Sequence, residues 1–415
     1  MRLKKRFKKV ACCALAVIFL FAAQIIAASC RHGGDGKKGS NLVKSDQTAD
    51  VDYNRWSALG ARSGSTLYFL NRIGGAAQYI LYADTETQLS GYLCGKPECT
   101  HSDENCNAWI GNASNLFIYD DHIYWVSMDY NDDVKLWLNR MELNGEKHKQ
   151  VMQLTFSLDD LEELYPTRNT TVQMHQGILY VSGEDQRVSD GEMFGYSQIT
   201  AYDVASGKYE RVYLGENHPD TAGYGFKVQC NGDDIWYLEY YNGYSESDAA
   251  SAVTPFLHVY RYNITQKSTE IIYDGAYPDA LSTIMDIYVN SDGLWFTSYT
   301  TQADGHTQLW QLEGKSKTPV LKYTIESNTG AWITDGLIAV YSLPDDAHIR
   351  TAFIDFEGNL ISDQIYPRGE MNIKFCMVAG FDREKLCMLY DDLESKTAFV
   401  LFPTDGSNMQ ILWQE

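Results

Sequence analysis

One pattern of residues recurs seven times along this 415-residue chain and constrains its fold more than any other feature. Each copy begins with a turn rich in Asp, Asn and Gly, followed by a short apolar segment that is usually aromatic. The copies lie at residues 65–69, 121–125, 176–180, 234–237, 292–296, 335–339 and 384–388. Aromatic and β-branched side chains favour strands, and Asp, Asn and Gly favour turns. The repeat therefore predicts short strands joined by tight turns.

Each copy also has an entering strand before it, and a second strand and a leaving strand after it. Four antiparallel strands per unit, repeated about every 43–58 residues, are typical of a β-propeller. We therefore predict an all-β fold, a β-propeller of four-stranded blades over residues 53–415. Seven units predict seven blades. Six or eight stay possible, because the first and last copies match the pattern least well.

The N-terminus has the layout of an export signal. Six basic residues and no acid lie within residues 2–9, residues 10–28 are apolar except for Gln24, and small residues then precede Cys30. This order is typical of a secretory signal, and the position of Cys30 is similar to that of the lipidated Cys of a bacterial lipobox. Ala27 stands where lipoboxes usually carry Leu, and an uncleaved membrane-spanning anchor is the alternative.

From this layout we expect residues 1–29 to be a lipoprotein signal peptide and Cys30 to be lipidated. Residues 30–52, rich in Gly, Lys and Ser, are expected to be a flexible tether. The predicted location is therefore extracytoplasmic, with the cell membrane reached only through the lipid anchor.

The charge of the chain argues against nucleic acid as a partner. It has 34 Lys and Arg against 55 Asp and Glu, a net charge of −21. Because six of the basic residues precede Cys30, the remainder has 28 basic and 55 acidic residues, a net charge of −27. A surface this negative repels phosphate backbones.

A compact group of cysteines and a histidine is the clearest candidate for metal chemistry. Cys94, Cys99, His101 and Cys106 lie within one predicted insertion, residues 94–114. Three thiolates and one imidazole suit tetrahedral zinc, and four protein ligands leave no open position for catalysis. A disulfide between two of the thiols is the alternative, since exported chains often oxidise their cysteines. We expect the other cysteines of the predicted blades to pack in the core, namely Cys230, Cys376 and Cys387.

The repeats resemble those of the YWTD and TolB-like propeller families. Residues 123–125 preserve the Tyr-Trp core of the former, with Val126 and Ser127 in place of its Thr-Asp. Together with the export signal and the cysteine segment, they resemble a group of uncharacterised exported propeller lipoproteins of anaerobic Gram-positive bacteria. The resemblance implies the fold, and it implies no reaction.

The longer predicted connections fall on one face of such a propeller, at residues 94–114, 155–170, 183–197, 215–225, 239–255 and 276–283. Long loops on one end of a rigid scaffold often carry binding residues. Aromatic-Pro-polar triplets and a Tyr-rich segment occur there, although loop stiffening by Pro is the simpler explanation of the triplets. The candidate ligand-binding residues are Tyr165, His218, Tyr240, Tyr241, Tyr244, Tyr277 and Tyr366.

The chain carries no sequence motif of metalloproteases, P-loop proteins, serine hydrolases or dinucleotide-binding enzymes. We therefore expect a non-enzymatic, monomeric module that binds a carbohydrate, a peptide or a protein, with structural zinc as its one cofactor. The alternative is a carbohydrate-active enzyme, a glycosidase or lyase. Its carboxylates would come from different blades and meet at the loop-rich face, which leaves no local motif.

Overall fold

The computed structural model describes residues 59–73, 77–129, 135–154, 164–166, 171–189, 192–215, 218–219, 223–244, 254–300, 305–313, 318–326, 331–334, 336–369, 375–391 and 397–414. These residues form thirty strands and no helix. The predicted signal peptide and tether lie outside them. No helix long and apolar enough to span a membrane occurs among the described residues.

The strands follow the chain four to a blade. Blade 1 contains β1 (Gly60–Ser63), β2 (Thr66–Ile73), β3 (Ala77–Asp84) and β4 (Ser90–Tyr92). Blade 2 contains β5 (Ala113–Tyr119), β6 (His122–Asp129), β7 (Lys135–Glu142) and β8 (Lys149–Leu154). Blade 3 contains β10 (Thr171–His175), β11 (Ile178–Ser189), β12 (Glu192–Asp203) and β13 (Lys208–Leu214), with the short β9 (Leu164–Pro166) and β14 (His218–Pro219) added. Blade 4 contains β15 (Tyr224–Asn231), β16 (Asp234–Tyr241), β17 (Phe256–Asn263) and β18 (Ser268–Ala276).

The C-terminal half continues the same plan. Blade 5 contains β19 (Ser282–Asn290), β20 (Gly293–Thr300), β21 (His306–Leu312) and β22 (Val320–Glu326). Blade 6 contains β23 (Ala331–Thr334), β24 (Leu337–Asp345), β25 (His348–Asp355) and β26 (Leu360–Pro367). Blade 7 contains β27 (Phe375–Phe381), β28 (Lys385–Asp391), β29 (Thr397–Pro403) and β30 (Gln410–Gln414). Within every blade the spatial order of the four strands is their chain order, as expected of a meander.

The first strands of the blades form a closed cycle. Neighbouring first strands are in contact, in the order β1, β5, β10, β15, β19, β23, β27 and back to β1. Apolar side chains fill the space between blades in seven separate clusters, one at each interface of neighbouring blades. The predicted seven-bladed β-propeller is therefore confirmed.

The ring closes between blades 7 and 1 without a shared strand, because blade 1 is built from the first four strands and blade 7 from the last four. Side chains hold the junction instead. The rings of Phe69 and Phe399 stack with their centroids 4.1 Å apart. At its rim Arg62 Nη1 lies 3.0 Å from the carboxylate of Asp382.

Side chains of the inner strands tie one blade to the next. An inner strand has a free edge whose backbone groups need partners. Gln173 of β10 bonds to two backbone groups of β15, at 2.9 Å each. Lys227 of β15 donates to the Met285 carbonyl oxygen of β19 at 2.7 Å. Asp286 of β19 accepts the Ile333 N–H of β23 at 3.0 Å. Blades 3 to 6 are thus joined in series around the central axis.

One predicted loop is a strand pair in the structure. Residues 183–197 belong mainly to β11 and β12, which form a hairpin of twelve residues per strand, longer than the strands of the other blades. β9 pairs with β11 and β14 pairs with β12, so this extension is four-stranded. A sequence of mixed polar and apolar residues does not distinguish an extended hairpin from a loop, because its partners β9 and β14 are distant along the chain.

Candidate functional site

The Cys/His segment is inserted into the outer strand of blade 1. β4 has only three residues, and Ile80 of β3 then bonds to both ends of the insertion. Its carbonyl oxygen accepts the Leu93 N–H at 2.9 Å, and its own N–H donates to the Ala108 carbonyl oxygen at 2.9 Å. Residues 94–107 therefore form a loop closed at its base against β3.

The four predicted ligands meet within this loop. The ligand atoms of Cys94, Cys99, His101 and Cys106 all lie within 4.8 Å of one another. His101 Nδ1 is 3.3 Å from Cys106 Sγ. None of these cysteines forms a disulfide in the described part of the chain. The sequence prediction of these four residues as one cluster agrees with this geometry.

Tight turns in the backbone direct the ligands inward. The N–H of Cys99 donates to the Lys96 carbonyl oxygen at 3.1 Å, and that of Cys106 donates to Asp103 at 3.1 Å. His101 has a φ of 52°, in the left-handed region that non-glycine residues seldom adopt. Backbone strain of this kind is typical of positions where the surrounding structure over-determines a side chain.

The electrostatics of the cluster are those of thiols crowded together. Burial, followed by the neighbouring sulfurs of Cys99 and Cys94, raises the pKa of the Cys106 thiol to about 12. Burial acts on Cys94 too, but hydrogen bonds from the Lys96 and Asn107 backbones and from the other thiols outweigh it and lower the pKa of Cys94. Crowded thiolates repel one another, and a bound divalent cation would remove that repulsion.

Three sulfurs and one nitrogen fit zinc in a closed tetrahedral site. The Cys/His cluster also lies next to both of the blades that neighbour blade 1. The His101 ring stacks on Tyr92, with centroids 4.7 Å apart, and the edge of Tyr92 faces Trp413 of blade 7. On the other side, Gly145 in a turn of blade 2 packs so closely against Leu93 that an added Cβ would overlap its carbonyl oxygen. The cluster therefore lies at the outer edge of blade 1, beside both of its neighbours, rather than on the loop-rich face alone.

Four of the predicted ligand-binding tyrosines are core residues. Tyr240, Tyr241, Tyr277 and Tyr366 are at most 7% exposed. Two of their hydroxyl groups bond to the backbone. The Tyr240 hydroxyl accepts a backbone N–H of β19 at 3.2 Å, and the Tyr366 hydroxyl donates to the Ser407 carbonyl oxygen at 2.9 Å. The expected exposed aromatic ring is therefore not formed by these four, because each ring is needed between blades.

Tyr165 and His218 occupy one row of the blade 3 extension. Gln186 of β11 pairs with Tyr165 on one side and with Gly195 of β12 on the other, and Gly195 pairs with His218. The two residues therefore share a register position across four strands. Their side chains lie outside the described part of the structure, and their ligand-binding role stays a prediction.

Tyr244 is the exposed candidate, with 46% of its surface accessible. It lies on the loop-rich face, as does Leu281, which is 40% exposed and lies next to Gly243. Asn242 holds both: its side-chain oxygen accepts the Tyr244 N–H at 2.8 Å, and its carbonyl oxygen accepts the Leu281 N–H at 2.7 Å. We call residues 242–244 with Leu281 the blade 4–5 ledge.

The ledge rests on a rigid support. Asn242 is 3% exposed, and its side-chain N–H donates to the Ser282 carbonyl oxygen at 2.7 Å. The Tyr277 hydroxyl, beneath the ledge, donates to the same oxygen at 3.2 Å. Sequence reasoning missed Leu281, since nothing in its neighbours indicates that it is exposed with a φ of 66°.

A carboxylate–imidazole–carboxylate chain also escaped the sequence analysis. His258 Nδ1 lies 3.0 Å from Glu239, and its Nε2 lies 3.2 Å from Asp274. Tyr213 of blade 3 donates to Glu239 at 3.4 Å. Burial raises the pKa of Glu239, an effect that His258 opposes. Because Glu239 is only 1% exposed, these carboxylates do not face each other across an open pocket as a glycosidase requires.

No protein-family model and no curated protein matches the chain. Solved structures do. An oligogalacturonate lyase in complex with manganese is 11% identical with a TM-score of 0.52, over 87% of this chain and 95% of the lyase. An oligogalacturonate lyase from Vibrio parahaemolyticus is 10% identical with a TM-score of 0.51, over 88% of this chain and 92% of that one.

A puromycin-hydrolysing peptidase from Mycobacterium tuberculosis is 12% identical with a TM-score of 0.51, over 89% of this chain and 55% of the peptidase. At such identities the likeness concerns the propeller fold alone. Manganese prefers oxygen and nitrogen ligands, whereas three of the four donors in the Cys/His cluster are sulfur.

Proposed function

We propose that the chain is an exported lipoprotein, anchored to the cell membrane through Cys30, whose propeller is a non-enzymatic binding module. Its partner is an extracellular carbohydrate, peptide or protein, and the module acts as a monomer. The basic, apolar and small-residue order of residues 2–30 supports the anchoring. The absence of nucleotide, protease and hydrolase motifs from the sequence supports binding rather than catalysis.

The observation that carries the binding proposal is the blade 4–5 ledge. Tyr244 and Leu281 are large apolar side chains left in solvent on the loop-rich face, while four other tyrosines predicted for that face are buried. Exposed Tyr on a rigid support is typical of recognition surfaces, because little conformational entropy is lost when it binds.

We also propose that the Cys/His cluster holds a structural zinc ion. The donor set supports zinc over manganese or magnesium, and the four protein ligands leave no position for a catalytic water. Bound zinc would fix the insertion where the outer strand of blade 1 is only three residues long.

Two measurements test the proposal. Metabolic labelling with a fatty acid should mark the wild-type protein and not Cys30→Ala. The purified full chain in detergent should be applied to arrays of glycans and peptides, with Tyr244→Ala as the ledge variant. Tyr209→Ala is the matched control, because Tyr209 is 52% exposed beside the turn on the opposite face.

Ligands that bind the wild type and the control but not Tyr244→Ala would support the ledge. Binding unaffected by Tyr244→Ala would contradict it. New reducing or unsaturated sugar ends in the array eluate would favour the alternative, a glycosidase or lyase. That alternative draws its support from the likeness of the propeller to lyases, which is a likeness of fold.

A further inference from the structure

The blade 4–5 ledge displays an apolar side chain on strained backbone. A left-handed conformation is unfavourable for a residue other than Gly, and Leu281 holds it at a φ of 66°. The Asn242 and Ser282 hydrogen bonds over-determine this conformation. A glycine at this position would avoid both the strain and the exposed apolar surface. Backbone strain at a partly exposed apolar residue indicates a role for the side chain in contacting something else.

Acidic residues outnumber basic ones in the two blades that carry the ledge. Residues 224–326, which span blades 4 and 5, contain thirteen Asp and Glu and six Lys and Arg. Two of these bases are paired near the turns of the opposite face. Arg261 lies 2.6 Å from Glu270, and Lys267 lies 2.6 Å from Glu210.

Acidic side chains remain on the ledge side. Asp274 at the end of β18 is 57% exposed, and Asp279 is partly buried between Tyr277 and Leu281 along the chain. Asp279 accepts the Ser298 hydroxyl at 2.7 Å, which fixes it at this rim. The field over the ledge is therefore negative, and cations are drawn to such a rim.

We infer that the blade 4–5 ledge is a docking site for a cationic, extended peptide segment of a partner protein. An apolar side chain of that segment contacts Tyr244 and Leu281, and flanking Lys or Arg side chains lie over the acidic rim. The inference rests on the binding function proposed above and names its ligand. Leucine favours a peptide over a sugar, because an aliphatic side chain offers neither a ring face nor a hydrogen bond to a pyranose.

Fluorescence anisotropy with the full chain in non-ionic detergent tests the inference. The probe is a labelled nine-residue peptide with Leu at its centre and Lys elsewhere. Two control peptides carry Glu in place of Lys, or Gly in place of Leu. We expect the probe to bind the wild type, and both control peptides to bind at least about tenfold more weakly.

The protein variants separate the ledge from general attraction by charge. Tyr244→Ala should weaken probe binding about tenfold, in the range of a single hot-spot side chain. Leu281→Gly should weaken it by about fivefold or more while leaving the melting temperature unchanged or higher, because Gly relieves the strain. Tyr209→Ala should bind as the wild type does.

Equal binding by the wild type, Tyr244→Ala and Leu281→Gly would overturn the inference, since it would mean charge attraction without a site. A glycan from the array that binds through Tyr244 while the cationic probe does not would overturn the inference and leave the proposed binding function standing. No binding of the probe or of any array member to the wild-type protein would overturn both.

Discussion

Replacing Lys227 by Met should change how the stability of the propeller depends on pH. The ammonium of Lys227 lies half-buried between the inner strands of blades 4 and 5, where it donates to the Met285 carbonyl oxygen at 2.7 Å. Burial lowers the pKa of Lys227 to about 7, although the neighbouring Asp286 carboxylate opposes that shift. Burial in turn raises the pKa of Asp286 to about 6.

The direction follows from proton binding. In the unfolded chain this amine binds a proton below about pH 10.4, whereas in the folded chain it does so only below about pH 7. Between these values the unfolded state binds more protons, so the free energy of unfolding rises with pH, by at most about 1.4 kcal/mol per unit. That stability is lost progressively as the pH falls from about 10.4 to about 7, and below pH 7 the lysine contributes no further change. The Asp286 contribution changes at lower pH, between about 4 and 6, where stability decreases as the pH rises.

The expected quantity is therefore the difference between wild type and Lys227→Met, measured by urea unfolding at pH 7.5, 8.5 and 9.5. It should grow in favour of the wild type by about 1 kcal/mol per pH unit. A constant offset of about 1–3 kcal/mol is added because Met leaves the Met285 carbonyl oxygen without its donor. Lys267→Met, which removes a solvent-exposed lysine, is the control and should show no such slope. Parallel pH profiles for Lys227→Met and the wild type would refute the reasoning.

Three further perturbations test the metal site and the ring. Cys106→Ser should lower the zinc content of the purified protein from about one ion per chain towards none, read by elemental analysis, and lower its urea midpoint. Gly145→Ala should lower the urea midpoint more than Gly207→Ala. Both glycines have a positive φ, but only at Gly145 would the new Cβ overlap Leu93. Equal midpoints for the two variants would contradict the tight packing at Gly145. Phe69→Ala should lower the free energy of unfolding by about 3–5 kcal/mol, because Phe69 is a buried ring at a junction without a shared strand. It should also speed proteolytic cleavage within blades 1 and 7, because an opened junction exposes their strands, and an unchanged cleavage rate would argue that side chains there do not hold the ring.

The fold was predictable because it is repetitive. All seven repeated segments lie on the second strand of a blade, each directly after a turn. The extended hairpin of blade 3 was not predictable, since Tyr165 and His218 lie far from it in sequence and pair with it only in the folded chain.

The two candidate sites differ in how much of each the sequence predicts. Three cysteines and a histidine close together in the sequence indicate a metal site by their residue types, so all four residues of the cluster were predicted together. For the tyrosines, residue type is ambiguous, because the same ring suits a blade interface and a ligand. Only coordinates separate the buried Tyr240 from the exposed Tyr244, four positions further along the chain.

The position of the Cys/His cluster is better explained by mechanical support of the propeller ring than by ligand binding. Blade 1 has the shortest outer strand, and it faces the one junction where neighbouring blades come from opposite ends of the chain. In a protein anchored through Cys30, as proposed, any pull on a ligand passes from the propeller into blade 1 before it reaches the membrane. A metal ion joining Cys94 to Cys106 would brace the insertion whose base is closed against β3, and the Tyr92 and Trp413 rings would extend that support to blade 7. Zinc at this position would thus reinforce the blade with the shortest outer strand, on the other side of the ring from the ledge where we place the ligand.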